Sequence, residues 1–486
     1  PLAGDGRGGM PDRKVRVRWE VAGDENFAQP VQNGTAYARP ELAHSVHVEV
    51  EGLEPAREYF YRFKAGAEVS PVGRTKTAPA LDSSPSRLAF AFASCQMYEH
   101  GYFTAYQHMS EEDLDFVFHL GDYIYEYGVA EYTAKSGVVR THRPKTEITT
   151  LADYRRRHAQ YKTDGDLQAA HAAFPWVVTW DDHEVENNYA DEISEDGIVG
   201  PRFLRRRAAA YQAYYEHMPL RRRSVPRGPN MRLYRMLTFG DLARFNVLDT
   251  RQYRDDQAND DGIDPPNRET RDPSRTLTGE EQERWLFESL RNSGATWDVL
   301  TQQVFFSQLD FKSGSGELFA MDIWDGYAGQ RDRILDFIAE NDVPNPVILT
   351  GDIHTNWAND VKADFDDPDS RTVATEYVGT SITSDGNGSD TTIYGSPIAR
   401  ANPHIKFYND QRGYVRCTIT PEEWRTDYRV VEYVNRRGAP ITTLATFVTE
   451  EGNPGAQKVA GAAATTQASA EEVQRRRIQA QREAGK

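Results

Sequence analysis

Near the N-terminus, apolar residues fall on every second position in three runs: Val15, Val17 and Trp19, then Val46, Val48 and Val50, then Tyr59, Tyr61 and Phe63. That period marks strands that bury one face. Gly52-Leu53-Glu54-Pro55 separates the second run from the third and Ser70-Pro71-Val72-Gly73 closes the series, both with turn chemistry. The pattern predicts a small antiparallel β-sandwich over residues 1–77. Residues 78–86, with Pro79, Pro85 and three serines, read as a linker.

After Arg87 the alternation gives way to short continuous apolar runs: Leu88–Ala93, Phe116–Leu120, Trp176–Trp180, Phe245–Leu248, Trp297–Leu300 and Val347–Leu349. Strands buried on both faces look like this. Helical patterns follow several of them, as in Phe203–Tyr215, Glu280–Arg291 and Arg331–Glu340, so the predicted class is α/β with helices packed over sheets. Residues 254–276, rich in Asp, Asn and Pro, predict a long solvated loop. They do not fit an EF-hand, because Gln257 and Arg268 stand where the first and last carboxylates around Gly262 belong. Ser469-Ala470-Glu471-Glu472 forms a capping box ahead of Val473–Arg482, which fits a short helix or a disordered end.

Charge narrows the function. The 486 residues carry 57 Lys+Arg against 74 Asp+Glu, a net −17, which opposes counterion-release binding to a polyanion. No obligatory nucleic-acid partner is expected, yet bound cations can reverse the local field and let an acidic chain process phosphates. Only Cys95 and Cys417 are present, so no disulfide framework exists, and spacing alone leaves one long-range bridge between them open. No run approaches the roughly 18 apolar residues of a membrane span. Residues 1–20 lack the order of a signal peptide, which a leader removed before Pro1 would explain.

The candidate chemistry stands where the buried strands end. Leu88–Ala93 runs into Ser94-Cys95-Gln96, and Phe116–Leu120 into Gly121-Asp122-Tyr123-Ile124-Tyr125. Trp176–Trp180 runs into Asp181-Asp182-His183-Glu184, and Val347–Thr350 into Gly351-Asp352-Ile353-His354. Ligands bind outside the carboxyl ends of strands in open α/β sheets, so thiolate, carboxylate, phenol and imidazole can converge there on a metal. One Asp after a strand often only caps a turn; the weight lies on four groups together. His119 and Cys417, inside apolar patterns, read as core residues.

These residues also carry a family resemblance. Gly-Asp-x-x-Tyr at 121–125, Asp-His-Glu at 182–184 in place of Asn-His-Glu, and Gly-Asp-x-His at 351–354 in place of Gly-His-x-His resemble calcineurin-like metallophosphatase motifs. The stretches Phe90–Glu126 and Phe174–Asn188 resemble PhoD-type alkaline phosphatases and their phospholipase D-like relatives. The likeness implies a four-layer core of packed mixed sheets over residues 87–448. A fibronectin type III-like sandwich without its first strand would precede that core, and a tail over 449–486 would follow it. It also implies secretion, commonly by the twin-arginine route, and a monomer is expected.

The resemblance further implies Fe³⁺ with one or two Ca²⁺. By motif, Cys95, Asp122, Tyr125 and His354 would surround the iron, and Asp122 with Asp352 would reach calcium. Anionic thiolate and phenolate donors suit Fe³⁺, and a cation can deprotonate them. The oxygen donors Asp352 and Asp182, replacing His and Asn, suit Ca²⁺; Asn187, ahead of Asn188, would add an amide oxygen.

The implied reaction is hydrolysis of a phosphoester at alkaline pH by a metal-activated hydroxide attacking in line. His183 occupies a position that orients or protonates near the phosphate, with Glu184 expected to fix its ring from outside the ligand sphere. His158, in Arg155-Arg156-Arg157-His158, and Arg251, after the strand Phe245–Leu248, are further candidates for gripping phosphate. The alternatives are an Arg251 paired with the acidic loop and a His158 on a solvated helix face. Gln303 is a candidate inner or outer group. Substrates would be small phosphomonoesters or, alternatively, phospholipid or teichoic-acid diesters; a surface-binding protein with a degenerate site is the remote alternative.

Overall fold

Two sheets lie face to face, and helices cover both outer faces. A computed structural model describes residues 9–312, 314–367, 369–392, 397–461 and 466–467. One sheet has seven strands, in the order Asn453–Gly461, Ile441–Glu450, Glu423–Val431, Gly413–Ile419, Leu88–Ala93, Phe116–His119 and Trp176–Val178. The other has eight: Gly388–Ser389, Ile405–Gln411, Asn356–Lys362, Thr372–Val378, Val347–Thr350, Trp297–Thr301, Ala243–Val247 and Arg235–Phe239. Each sheet is mixed. Within the first, Leu88–Ala93, Phe116–His119 and Trp176–Val178 run parallel; within the second, Ala243–Val247 through Thr372–Val378 do.

The apolar runs are continuous because these strands are buried on both faces. Phe90, Phe92, Phe116 and Phe118 of one sheet meet Phe245, Trp297, Val299, Val347 and Leu349 of the other in one cluster. Phe90 sits edge-on to Phe245 with ring centroids 5.4 Å apart, and truncation of such a side chain to Ala typically costs about 3–5 kcal/mol. On the outer faces, Tyr154, Tyr211 and Tyr214 from Leu151–Tyr161 and Pro201–His217 cover the first sheet, and Leu286, Ile334 and Leu335 from Gly279–Arg291 and Ala328–Glu340 cover the second. Ser94 and Ser381 bridge the two sheets in parallel register at the carboxyl ends of their strands.

Three expectations need correction. The N-terminal strands Val15–Ala22, Pro30–Ala38, Glu58–Ala65, Glu68–Val69 and Gly73–Lys76 form a single five-stranded sheet, not two facing sheets. Val46–Val50 joins no ladder: His47 stacks on Tyr215 at 4.2 Å and its Nδ1 lies 2.8 Å from the Leu220 carbonyl, so this alternating segment packs on a helix instead. At the other end, a boundary at residue 448 would cut the strand Ile441–Glu450, and Asn453–Gly461 extends the seven-stranded sheet. The capping-box segment at 469–482 lies outside the described residues. Among those described, no helix is long and apolar enough to cross a membrane.

Candidate metal centre

The strand ends turn by adopting backbone conformations that side chains disfavour. Cys95, Asp122, Asp352 and His354 have φ of 58°, 57°, 60° and 61°, and Asn188 and Asp385 lie at 47° and 67°. Left-handed φ at residues other than glycine costs about 1–3 kcal/mol each and clusters at functional sites. Gly121, at φ 114°, makes the first turn possible: a Cβ there would fall 2.4 Å from Asp181 Cβ. The loop after Leu88–Ala93 then runs beside the next one, with Cys95 N and Gln96 N donating to the Gly121 and Asp122 carbonyls at 3.1 Å.

This backbone brings two ligand groups together. In Cys95, Asp122 and His354, and again in Asp122, Asp182 and His183, one ligand atom per residue lies within 4.8 Å of the others. Asp122 is common to both. The Tyr125 hydroxyl joins the first group, 3.0 Å from Asp122 Oδ2 and 3.2 Å from His354 Nε2. Asp352 stands 4.0 Å from Arg251 Nη2, which is also 3.8 Å from Asp182.

The electrostatics fit a cation. Burial, with Asp182 and Asp181 adding, pushes the Asp122 carboxyl well above its usual range despite His183. Burial and then Asp122 likewise push up the Cys95 thiol and the Tyr125 phenol. Burial opposes charge on Asp182 too, but Arg251 and His183 outweigh it and hold that carboxyl low. Asp122 Oδ1, Asp181 Oδ2 and Asp182 Oδ1 are buried acceptors without a hydrogen-bond partner among the described residues. Buried acceptors left unmatched cost free energy that a coordinated cation removes while favouring the anionic ligands.

The surrounding residues fix these groups. Glu126 Oε2 lies 2.8 Å from His183 Nδ1, and its Oε1 accepts from Asn187 N at 2.7 Å. Glu184 serves differently from expectation: it does not hold the His183 ring but accepts from the backbone N–H of Asp122, Tyr123 and Asp181 at 3.0, 2.6 and 2.9 Å. Asp385 Oδ2 lies 2.8 Å from His354 Nδ1. Ser384 Oγ lies 2.7 Å from the Tyr125 hydroxyl and 2.8 Å from the Cys95 carbonyl. Glu126, Asp385 and Ser384 were not among the sequence candidates; Glu126 adjoins the Gly-Asp-x-x-Tyr motif, and the other two follow Val378-Gly379-Thr380-Ser381.

Other candidates sit apart from the predicted roles. Arg251 is fully buried, with its Nη atoms on Asp322 at 2.6 and 2.9 Å and Nε on Asp181, so its fork is occupied and not free for phosphate. Its partner Asp322 lies outside the acidic loop. His158 is neither a phosphate contact nor a solvated residue: it is buried and stacks at 5.1 Å on His217, and desolvation keeps it neutral. Gln303 bonds Thr250 through Oε1 at 2.6 Å, and Thr179 and the Leu248 carbonyl through Nε2 at 2.9 and 3.0 Å, tying strand ends together. Asn187 Nδ2 donates to Glu195 at 2.7 Å, while Asn188 N donates to Asp182 at 2.7 Å and its side chain reaches Asp261. Asp261 belongs to the acidic loop, which therefore does more than face solvent. Cys95 and Cys417 are both free.

The PhoD-like phosphatase family model matches residues 90–428, and the model of the PhoD-like phosphatase N-terminal domain matches residues 4–79. The chain belongs to the PhoD-like phosphatase family. Alkaline phosphatase D of Bacillus subtilis (strain 168) is 58% identical over 459 residues, covering 94% of this chain and 78% of that protein. A solved structure of PhoD superposes with a TM-score of 0.96 at 56% identity, covering 99% of this chain and 92% of that one. As a member of this PhoD-like family, the chain is a phosphoester hydrolase.

Proposed function

We propose that the chain is a secreted, monomeric phosphatase that releases phosphate from organic monoesters at alkaline pH, using Fe³⁺ and Ca²⁺. The observation that carries the reading is the pair of ligand groups sharing Asp122. Cys95, Asp122, Tyr125 and His354 would hold the iron, since anionic thiolate and phenolate donors match the high charge of a ferric ion. Asp122, Asp182, Asp352 and Asn187 would present oxygens to calcium. Bound cations would supply Lewis acidity to the phosphoryl group and make water a competent nucleophile at the working pH.

The chain's own residues would do the rest. Glu126 commits His183 Nδ1 to one partner, which leaves Nε2 to face the ester and to steady or protonate the leaving oxygen. Asp385 does the same for His354 Nδ1, directing Nε2 inward. Residues 1–77 and the core from residue 87 are proposed as separate units joined by 78–86. Initial rates on p-nitrophenyl phosphate and bis-p-nitrophenyl phosphate at alkaline pH, with Ca²⁺ and with a calcium chelator, test the proposal. Faster calcium-dependent monoester turnover is expected. Preference for the diester would favour a phosphodiesterase, and no turnover of either by iron-loaded protein would overturn the reading.

A further inference from the structure

Four tyrosines lie on the segment 121–132, and their hydroxyls are treated differently. Tyr123 is held by His171 at 2.8 Å and Lys162 at 3.1 Å, Tyr125 by Asp122 and Ser384, and Tyr132 by Asp385. The Tyr127 hydroxyl alone of the four is buried with no hydrogen-bond partner among the described residues. Its ring is fixed beside the candidate centre: centroids lie 5.3 Å from His183 and 5.6 Å from Tyr132. Its backbone is pinned as well, the carbonyl accepting from Arg157 Nη1 at 2.9 Å and lying 3.1 Å from His142 Nδ1. A phenol so placed cannot swing far to find a partner.

The other unmatched atoms nearby differ in kind. Asp122 Oδ1, Asp181 Oδ2 and Asp182 Oδ1 are acceptors, as suits atoms that face cations. The Tyr127 hydroxyl is a donor, and a protonated phenol is a poor ligand for a cation but a good partner for an anion's oxygen. A phenylalanine would fill the same space without an unmatched hydroxyl, which costs about 1–3 kcal/mol when buried.

We infer that Tyr127 is a substrate-binding residue whose hydroxyl donates to a non-bridging oxygen of the phosphoryl group beside His183. This rests on the phosphatase reading above and adds a protein donor to it. No bond is made or broken by Tyr127; the hydrogen bond serves ester and product phosphate alike. Removing it therefore weakens binding of both and changes kcat little.

The test compares the metal-loaded parent with Tyr127→Phe, using inorganic phosphate as a competitive inhibitor of p-nitrophenyl phosphate hydrolysis. The inhibition constant and KM should rise together by roughly tenfold, the scale of one hydrogen bond to a charged acceptor, with kcat within about threefold. Iron and calcium content should be unchanged, and the thermal midpoint equal or higher, because the variant removes an unmatched hydroxyl. Phosphate inhibition within about twofold of the parent would overturn the inference and leave the phosphatase reading standing. Loss of metal from the variant would overturn it too, by assigning the hydroxyl to the metal ligands. A parent that neither hydrolyses the ester nor is inhibited by phosphate would overturn both.

Discussion

Two clusters of buried ionisable groups flank the turn at 121–125, and they are unlike. On one side Cys95, Asp122, Tyr125, Asp182 and His354 converge as groups of metal-ligand type with unmatched oxygens. On the other, Tyr123 meets His119, His158 and His171 with Lys162, and His217 stacks on His158. Among the described residues no carboxylate hydrogen-bonds to these imidazoles. Burial answers the two in opposite ways: it pushes the acids up toward neutrality unless a cation binds, and it pushes the bases down, with His119 and His217 at about 3. An imidazole already neutral asks for no partner ion, whereas several carboxylates and a thiol facing one another do. Buried titratable residues thus mark a site only where their charges conflict and the backbone is strained to bring them together.

The largest effect that separates the clusters should come from Cys95→Ala. It is expected to remove iron and lower kcat/KM by roughly 10³-fold, on the order of 4 kcal/mol of lost transition-state stabilisation, while the chain still folds. Metal analysis and kinetics check this, and full turnover at full metal occupancy would return Cys95 to the core. Glu126→Gln comes next, because it loosens the His183 ring, and the Asn187 backbone with it, without removing a proposed ligand: activity should fall about 10–100-fold, more for esters with poor leaving groups. An equal loss on good and poor leaving groups would count against His183 acting on the leaving oxygen. His158→Phe, in the basic cluster, should leave kcat/KM within about threefold; a loss comparable to Glu126→Gln would erase the distinction between the two sides.

The smallest effect concerns half-buried Lys162, which burial lowers to about 8 from an ordinary 10.5. Between those values the folded protein binds fewer protons than the unfolded chain, so stability rises with pH across that window. Below about pH 8 the buried ammonium is a full penalty. Lys162→Met should therefore raise the thermal midpoint by about 2 °C at pH 7 and flatten its rise between pH 8 and 10. Parallel melting profiles for parent and variant would contradict this.

Much of the fold and the core of the site can be read from residues alone. Leu88–Ala93 and Trp297–Thr301 are strands buried on both faces, and continuous apolar runs announce them. That Cys95, Asp122, Asp182 and His354 come together is legible because ligand-type residues follow such runs directly. Val46–Val50 misleads because period two predicts a half-buried extended segment but not a partner strand; a helix supplies the contact instead. His158 misleads for a related reason: flanking arginines suggest solvent, yet Arg155 is neutralised by Glu216 at 2.6 Å and Arg157 turns inward to backbone carbonyls. Glu126, Asp385 and Asp322 act through distant side chains, and nothing local signals those pairings. The left-handed conformations at Cys95, Asp122, Asp352 and His354 are equally silent, since the residues that carry them are not glycines.

We propose that one carboxylate, Asp122, serves two metal positions. Iron and calcium per chain, measured in Asp122→Asn beside the parent, test it most directly. The variant is expected to fold and to retain neither metal at parental level. A variant that loses one metal and keeps the other in full would contradict it.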